Sequence, residues 1–508
     1  MLCQTAPAGR ATPAGTPSSA RSRARTYARH DPQRTLLYAL VQAHYPDFLA
    51  QLAAQDRPLP AYVREAFEAY LRCGVLEHGF LRVVCEQCHA ERLVAFSCKQ
   101  RGFCPSCGAR RMAESARHLA DDVFGARPVR QWVLSVPFPL RWLFASKPDA
   151  IGPLLAIVQR VIGGWLADQA GIERASAQCG AVSLIQRFGS ALNLNVHFHM
   201  LWLDGVYEPV AARPDKPHLR RARAPTAAQR TALAAMIAHR VCRHLARAGW
   251  LEGEGDSAHL SDRAGSDDAM DALRMSSITY RIATGPHAGR KVATLQTLPA
   301  DADALQGDAG QVGGFSLHAG VAAQAHERDK LERLCRYIAR PAIAERRLSI
   351  SPQGRVRYEL KSPWRNGTTH VEFEPIDFIA KLAALVPPPR AHLTRFHGIF
   401  APNANLRAQL TPAGRGRRPA IDADSTTTPT DDRTPAERRR SMTWAQRLKR
   451  VFGIDVSTCI HCGGAVRIVA CIEEPKAIRA IIAHFAKHGA LEAAHYRPGP
   501  RGPPAKAA

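Results

Sequence analysis

Two Cys-x2-Cys pairs, Cys85–Cys88 and Cys104–Cys107, stand fifteen residues apart and constrain this chain more than any other feature in it. Four thiolates at that spacing can close a tetrahedron around one zinc ion, each pair sitting on a turn. So short a unit has little apolar core, and the metal would supply much of its folding energy. Cys98 and His89 lie between the pairs, so a swap of one ligand within the four stays open. Lys99, Arg101, Arg110 and Arg111 crowd the same segment and are placed for phosphate contacts, with a purely structural staple as the competing reading. The thirteen cysteines are odd in number and grouped in pairs, which points to metal thiolates in a reducing compartment rather than a disulfide framework. A weaker group, Cys459, Cys462 and Cys471 with His461 beside them, marks a candidate second zinc knuckle.

Charge narrows the partners. Lys and Arg number 69 against 44 Asp and Glu, a net charge of +25 with a pI near 10.1. Such an excess favours a polyanion, because each neutralised phosphate releases condensed counterions. DNA is therefore the expected partner, and with the reducing compartment that the cysteines imply, the cytoplasm is the expected location. No run of apolar residues approaches the ~18 that a membrane helix needs.

At 508 residues the chain should divide into roughly three folded units. Residues 1–30, basic with no acidic residue before Asp31, read as a disordered arm. Residues 31–115 read as a helical segment followed by the zinc ribbon, and 128–405 as the main domain. A Pro-, Thr- and charge-rich linker covers 406–442, a small unit 443–490, and a Pro/Gly tail 491–508.

Periodicity fills in the main domain as α+β. Gln131–Val136 reads as a buried strand, 151–169 as a helix, and 181–188 with 194–203 as a hairpin about Gly189–Asn193. A helix follows at 226–251, then short strands at 277–281, 291–295 and 314–318. A long helix at 322–338 and a strand pair at 355–359 and 370–373 complete the pattern. Acidic residues crowd into 252–271 and 301–308, which read as loops, so a nuclease built on strand-borne carboxylates is disfavoured.

Two motifs carry chemistry. His197 and His199 lie two apart on the second hairpin strand, so their imidazoles leave the same face about 6–7 Å apart at Cα. Such a pair can hold a divalent cation with positions left open for water or a phosphate oxygen. Taken alone, the pattern fits two hydrogen-bonded core histidines at least as well. A third ligand would come from Gln186, which the hairpin register sets opposite His197, or from His318 at the end of strand 314–318; the sequence leaves both open. Tyr337 sits beside the helical stripe Leu331, Leu334 and Ile338 and is expected to face inward, flanked by Arg333, Arg336 and Arg340. Those cations could hold a phosphodiester and favour a phenolate.

Together these segments resemble the bacterial rolling-circle insertion-sequence transposases. Ser97-Cys98-Lys99 with Cys104-Pro105-Ser106-Cys107-Gly108-Ala109-Arg110-Arg111-Met112 is similar to their N-terminal zinc domain. Gln186 through His199 resembles their His-hydrophobe-His strand, and Leu334-Cys335-Arg336-Tyr337-Ile338-Ala339-Arg340-Pro341 their tyrosine helix. The likeness runs in order from about residue 35 to 405. It implies an HUH endonuclease fold: an antiparallel sheet carrying the histidines, with the tyrosine on a nearby helix. It also implies Tyr337 as the nucleophile, and His197 and His199 as ligands of Mg²⁺ or Mn²⁺. The product would be a 5′-phosphotyrosine with a free 3′-hydroxyl on single-stranded element ends. Some members carry a second tyrosine four residues on; here that position is Pro341, so this is a one-tyrosine variant whose second cleavage would need a homodimer, reuse of Tyr337, or attack by the freed 3′-hydroxyl.

Overall fold

The apolar, β-branched run around Trp132 forms the strand Val129–Ser135, longer at its start than expected, at the heart of a six-stranded antiparallel sheet. The computed structural model of the protein describes residues 31–208, 217–253, 259–261, 269–297, 309–411, 459 and 461–487, with the short strands Arg25–Thr26 and Ile454–Asp455. The arm 1–30 apart from those two residues, most of the expected linker, and the tail 491–508 lie outside the described residues.

In spatial order the sheet runs Gly310–Val312, Phe315–Ala323, Val129–Ser135, Leu194–Leu203, Gly180–Phe188 and Thr394–Gly398. The histidine strand Leu194–Leu203 thus lies inside, paired on both edges. One face, with Trp132, Leu134, Phe198, Met200 and Trp202, packs against helices Phe138–Ser146, Ile151–Ala170 and Ala227–Arg247. Each fully buried Phe or Leu there contributes about 1.5–3 kcal/mol. The other face, with Val182, Leu201 and Leu203, is covered by the helical run Pro105–Phe124 and by the tyrosine helix Arg328–Ile338. These two helices lie antiparallel. Asp121 is buried and takes Arg328 at 2.8 Å at one end. At the other, a Cβ on Gly108 would come within 2.7 Å of the Pro341 side chain, so only glycine allows the approach.

A second core joins helices Leu36–Ala54 and Ala61–Arg72 to helix Pro375–Leu385 and a four-stranded sheet built from 293–296 and 348–373. The expected boundary between 31–115 and 128–405 is therefore no break in packing. The C-terminal unit does not stand apart either. Strand Val466–Ile472 adds to the edge of Phe80–Cys85, and helix Pro475–Lys487 buries Ile478 and Phe485 against Leu76, Phe80 and Leu93.

Several local expectations change. Residues 277–281 are not a strand: Ser277 and Ile278 close the helix Ala269–Ile278, because Met270, Leu273, Ser277 and Ile278 bury one helical face in spite of their β-forming neighbours. The tyrosine helix starts at Arg328, after a strand that runs on to Ala323. Residues 406–411 belong to the fold, as Leu406 and Leu410 pack with Ile399 and Phe400. Among the described residues one helix, Pro148–Ala170, is long and apolar enough to cross a membrane. Its Leu154, Val158, Val161 and Ile162 lie in the first core, which accounts for its apolar character.

Candidate active site and zinc centres

The hairpin closes tightly, with the Gly189 amide donating to the Asn193 carbonyl at 2.9 Å. A Cβ at Gly189 would strike the Asn193 side chain at 2.2 Å. This closure sets Gln186 opposite His197, as the spacing predicts, and Leu184 opposite His199. On the other edge Ser135 lies opposite His197 and Val133 opposite His199. His318 lies opposite Val133 and so stands two strands from His199; it joins no group of converging ligand atoms with the two histidines.

The imidazoles do converge. Their Nε2 atoms are 3.2 Å apart and the ring centroids 4.9 Å. Adjacent ligands on an octahedral cation at about 2.1 Å would be about 3 Å apart, so the pair fits one metal ion. Burial pushes the His197 imidazole down to about 4 and His199 to about 3, with the Arg340 charge adding to both. Both rings are therefore neutral and ligand-competent near pH 7. His197 is oriented through Nδ1 by the Asn195 carbonyl at 3.0 Å, and His199 Nδ1 lies 2.7 Å from the buried Gln131 amide. The carbonyl contact keeps the proton of His197 on Nδ1 and leaves its Nε2 lone pair free for a metal. The amide nitrogen of Gln186 donates to the Ile338 carbonyl at 2.9 Å, while its oxygen is buried without a partner. That oxygen suits a third ligand.

Tyr337 does not face inward. It is 41% exposed, while Leu331, Cys335 and Ile338 form the buried stripe of its helix. Its ring stands edge-on to His199, with centroids 6.3 Å apart. Arg340 lies over the Tyr337 ring at 4.4 Å and Lys361 at 4.2 Å. Arg336 instead pairs with Glu332 one turn back. Lys361 and Gln131 went unnoticed in the sequence: Lys361 comes from the loop joining the distant strands Val356–Glu359 and Thr368–Phe373, and Gln131 read only as part of an apolar run.

The cysteines form two four-thiol groups, and their partition corrects the sequence reading. Cys104 and Cys107 meet Cys73 and Cys98, whereas Cys85 and Cys88 meet Cys459 and Cys462. Sulfur separations run from 3.4 to 3.8 Å, against about 3.8 Å for a tetrahedron of about 2.3 Å bonds. Hydrogen bonds from Cys104, Cys73 and Cys98 pull the Cys107 thiol well below its usual range. The Cys88 amide and its neighbours lower Cys85 to about 6. Cys471 is exposed beside Glu473 and belongs to neither group; it lies opposite Leu81, four residues along the strand from Cys85. His461 is likewise exposed.

Around the inner group, Arg111 ties back the Lys99 and Gln100 carbonyls, Arg110 reaches Ser97, and Arg101 reaches the Ala391 carbonyl at 2.7 Å. Lys99 is exposed in a left-handed turn. The four basic residues thus shape the zinc loop as well as lending it charge.

An α+β protein with converging histidines under an exposed tyrosine and two four-thiol sites defines a zinc-bearing class of enzyme. Residues 180–407 match the family model described as a putative transposase, and residues 40–136 the one described as a transposase zinc-binding domain. Together these cover well over half of the chain, which belongs to the IS91-type transposases, enzymes that act on DNA. The zinc-binding match and the four-thiol groups make the zinc structural. No curated protein and no solved structure matches the chain.

Proposed function

We propose that the protein cuts and rejoins single-stranded DNA at the ends of its element by way of a 5′-phosphotyrosine on Tyr337. The reading rests on the meeting of the Tyr337 ring with His199, whose Nε2 converges with that of His197. The phenolic oxygen attacks phosphorus, the P–O3′ bond breaks, and a proton returns to O3′ to give a free 3′-hydroxyl. The phenolic proton leaves to solvent, to which Tyr337 is open. Arg340 and Lys361, held over the ring, offset the negative charge that gathers on phenolate and phosphate. His197, His199 and Gln186 would hold Mg²⁺ or Mn²⁺, which would supply Lewis-acid polarisation of a non-bridging phosphate oxygen. The phosphotyrosine conserves the energy of the bond broken, so rejoining by a 3′-hydroxyl needs no ATP.

With Pro341 where a second tyrosine would stand, each chain supplies one nucleophile, and a homodimer or reuse of Tyr337 completes the strand exchange. The cytoplasm is the proposed location. A plasmid relaxase or replication initiator would use the same chemistry. Mixed with a single-stranded oligonucleotide from the element end and Mn²⁺, the protein should give an SDS-resistant adduct that Tyr337→Phe abolishes. An adduct that survives that change would overturn the nucleophile. The absence of any adduct would leave a non-catalytic, zinc-dependent DNA-binding protein.

A further inference from the structure

Behind the tyrosine helix lies a cavity of about 350 Å³, bounded by the zinc loop, residues 184–188, the Ile338–Ala342 turn and the start of the edge strand at Thr394. At that size it falls at the small end of ligand pockets, roughly 300–1,000 Å³, the scale of one nucleotide rather than of a duplex. Its basic side is made by Arg101, Arg111 and Arg340, and its apolar side by Phe188, Leu385 and Leu393. No carboxylate lines it, so an anion entering it meets arginines and no acidic side chain on the wall.

The cavity and the histidine site touch at two side chains. Gln186 stands opposite His197 and also forms part of the cavity wall. Arg340 lies over Tyr337 on one side and over Phe188, inside the cavity, at 5.3 Å on the other. A strand whose phosphate rests at Tyr337 therefore has its neighbouring nucleotide within reach of the opening.

We infer that this cavity takes one extruded nucleotide of the DNA strand, the one adjoining the scissile phosphate, with its phosphate on the Arg101–Arg111 side and its base against Phe188 and Leu393. Guanidinium groups suit a phosphate, and an aromatic wall suits any base face. Extrusion costs little on a single strand, where no pairing is broken. The inference rests on the Tyr337 reading for which nucleotide is bound, though not for binding itself.

The test uses the full-length zinc-loaded protein and compares deoxynucleoside monophosphates, deoxynucleosides and inorganic phosphate by equilibrium binding. The monophosphates should bind at least tenfold more tightly than either part alone. Thr394→Trp, an exposed position on the cavity rim, should remove that binding without loss of zinc. Arg101→Ala should weaken it, and Tyr337→Phe should leave it intact. Equal affinity for phosphate and monophosphate, or binding that survives Thr394→Trp, overturns the nucleotide site. A second arm places one abasic position beside the cleaved bond. Adduct yield should then fall about tenfold in the parent and stay unchanged from the intact oligonucleotide in Thr394→Trp. An equal fall in both overturns the inference. If no adduct forms at all, the Tyr337 chemistry fails while the mononucleotide arm still decides this one.

Discussion

The two four-thiol groups are chemically alike and do different things. The inner one, Cys73, Cys98, Cys104 and Cys107, closes within one short stretch of chain and is largely buried. Cys107 lies on the helix Pro105–Arg117, and the next residue, Gly108, abuts Pro341 just beyond Tyr337. The outer one, Cys85, Cys88, Cys459 and Cys462, bonds residues 371 and 377 positions apart and has two exposed members. It holds a C-terminal strand and helix on a hairpin remote in sequence from the tyrosine. Identical ligands thus abut the tyrosine helix in one place and fasten a terminus in the other.

Breaking each site should expose that difference. Cys107→Ser should have the largest effect. Structural zinc carries on the order of 10 kcal/mol of folding energy, so its loss should unseat the inner loop, reduce bound zinc from two ions to one, and abolish the covalent adduct. An adduct that persists after loss of that zinc would break the proposed link to Tyr337. Gly108→Ala should come next: a Cβ 2.7 Å from Pro341 forces the two helices apart with both zinc ions still bound. A misplacement of about 1 Å can cost roughly 100-fold, so adduct formation should fall steeply while zinc content holds at two. Cys462→Ser should also leave one zinc ion, yet lower cleavage by only a few fold, and its readout is rapid proteolysis of residues 461–487. Equal cleavage losses in Cys462→Ser and Cys107→Ser would erase the distinction.

The smallest effect concerns pH. Burial lowers His197 to about 4 and His199 to about 3, below the ordinary 6.5 of the unfolded chain. The unfolded state therefore binds protons first as pH falls, so the stability these groups lend is complete above about 6.5 and is lost progressively toward 4. Adduct formation should persist to about pH 5, where exposed histidines would already be charged. Replacing both with Asn should flatten the stability curve between pH 4 and 6.5; an unchanged slope would show that neither ring titrates as described.

Much of this site could be read in the sequence. Strand alternation places His197 and His199 on one face, and the short hairpin loop sets Gln186 opposite His197, because both are local rules of backbone geometry. The buried face of the tyrosine helix was harder. Leu331, Leu334 and Ile338 suggested a stripe that took Tyr337 in, whereas Cys335 belongs to it and Tyr337 is turned out over His199. A single aromatic beside an apolar stripe lies near its edge, and neighbouring elements decide which side it takes.

The cysteine partition was beyond local reasoning altogether. By itself the sequence determined that four-thiol chemistry was present, that a basic chain would meet DNA, and that a histidine strand and an arginine-flanked tyrosine helix existed in order along the chain. Any Cys-x2-Cys turn presents two sulfurs in much the same way, so spacing cannot say which pair completes which. That choice belonged to the tertiary structure. Strand Val466–Ile472 docks on Phe80–Cys85 and brings Cys459 and Cys462 to Cys85 and Cys88, which leaves Cys104 and Cys107 to Cys73 and Cys98.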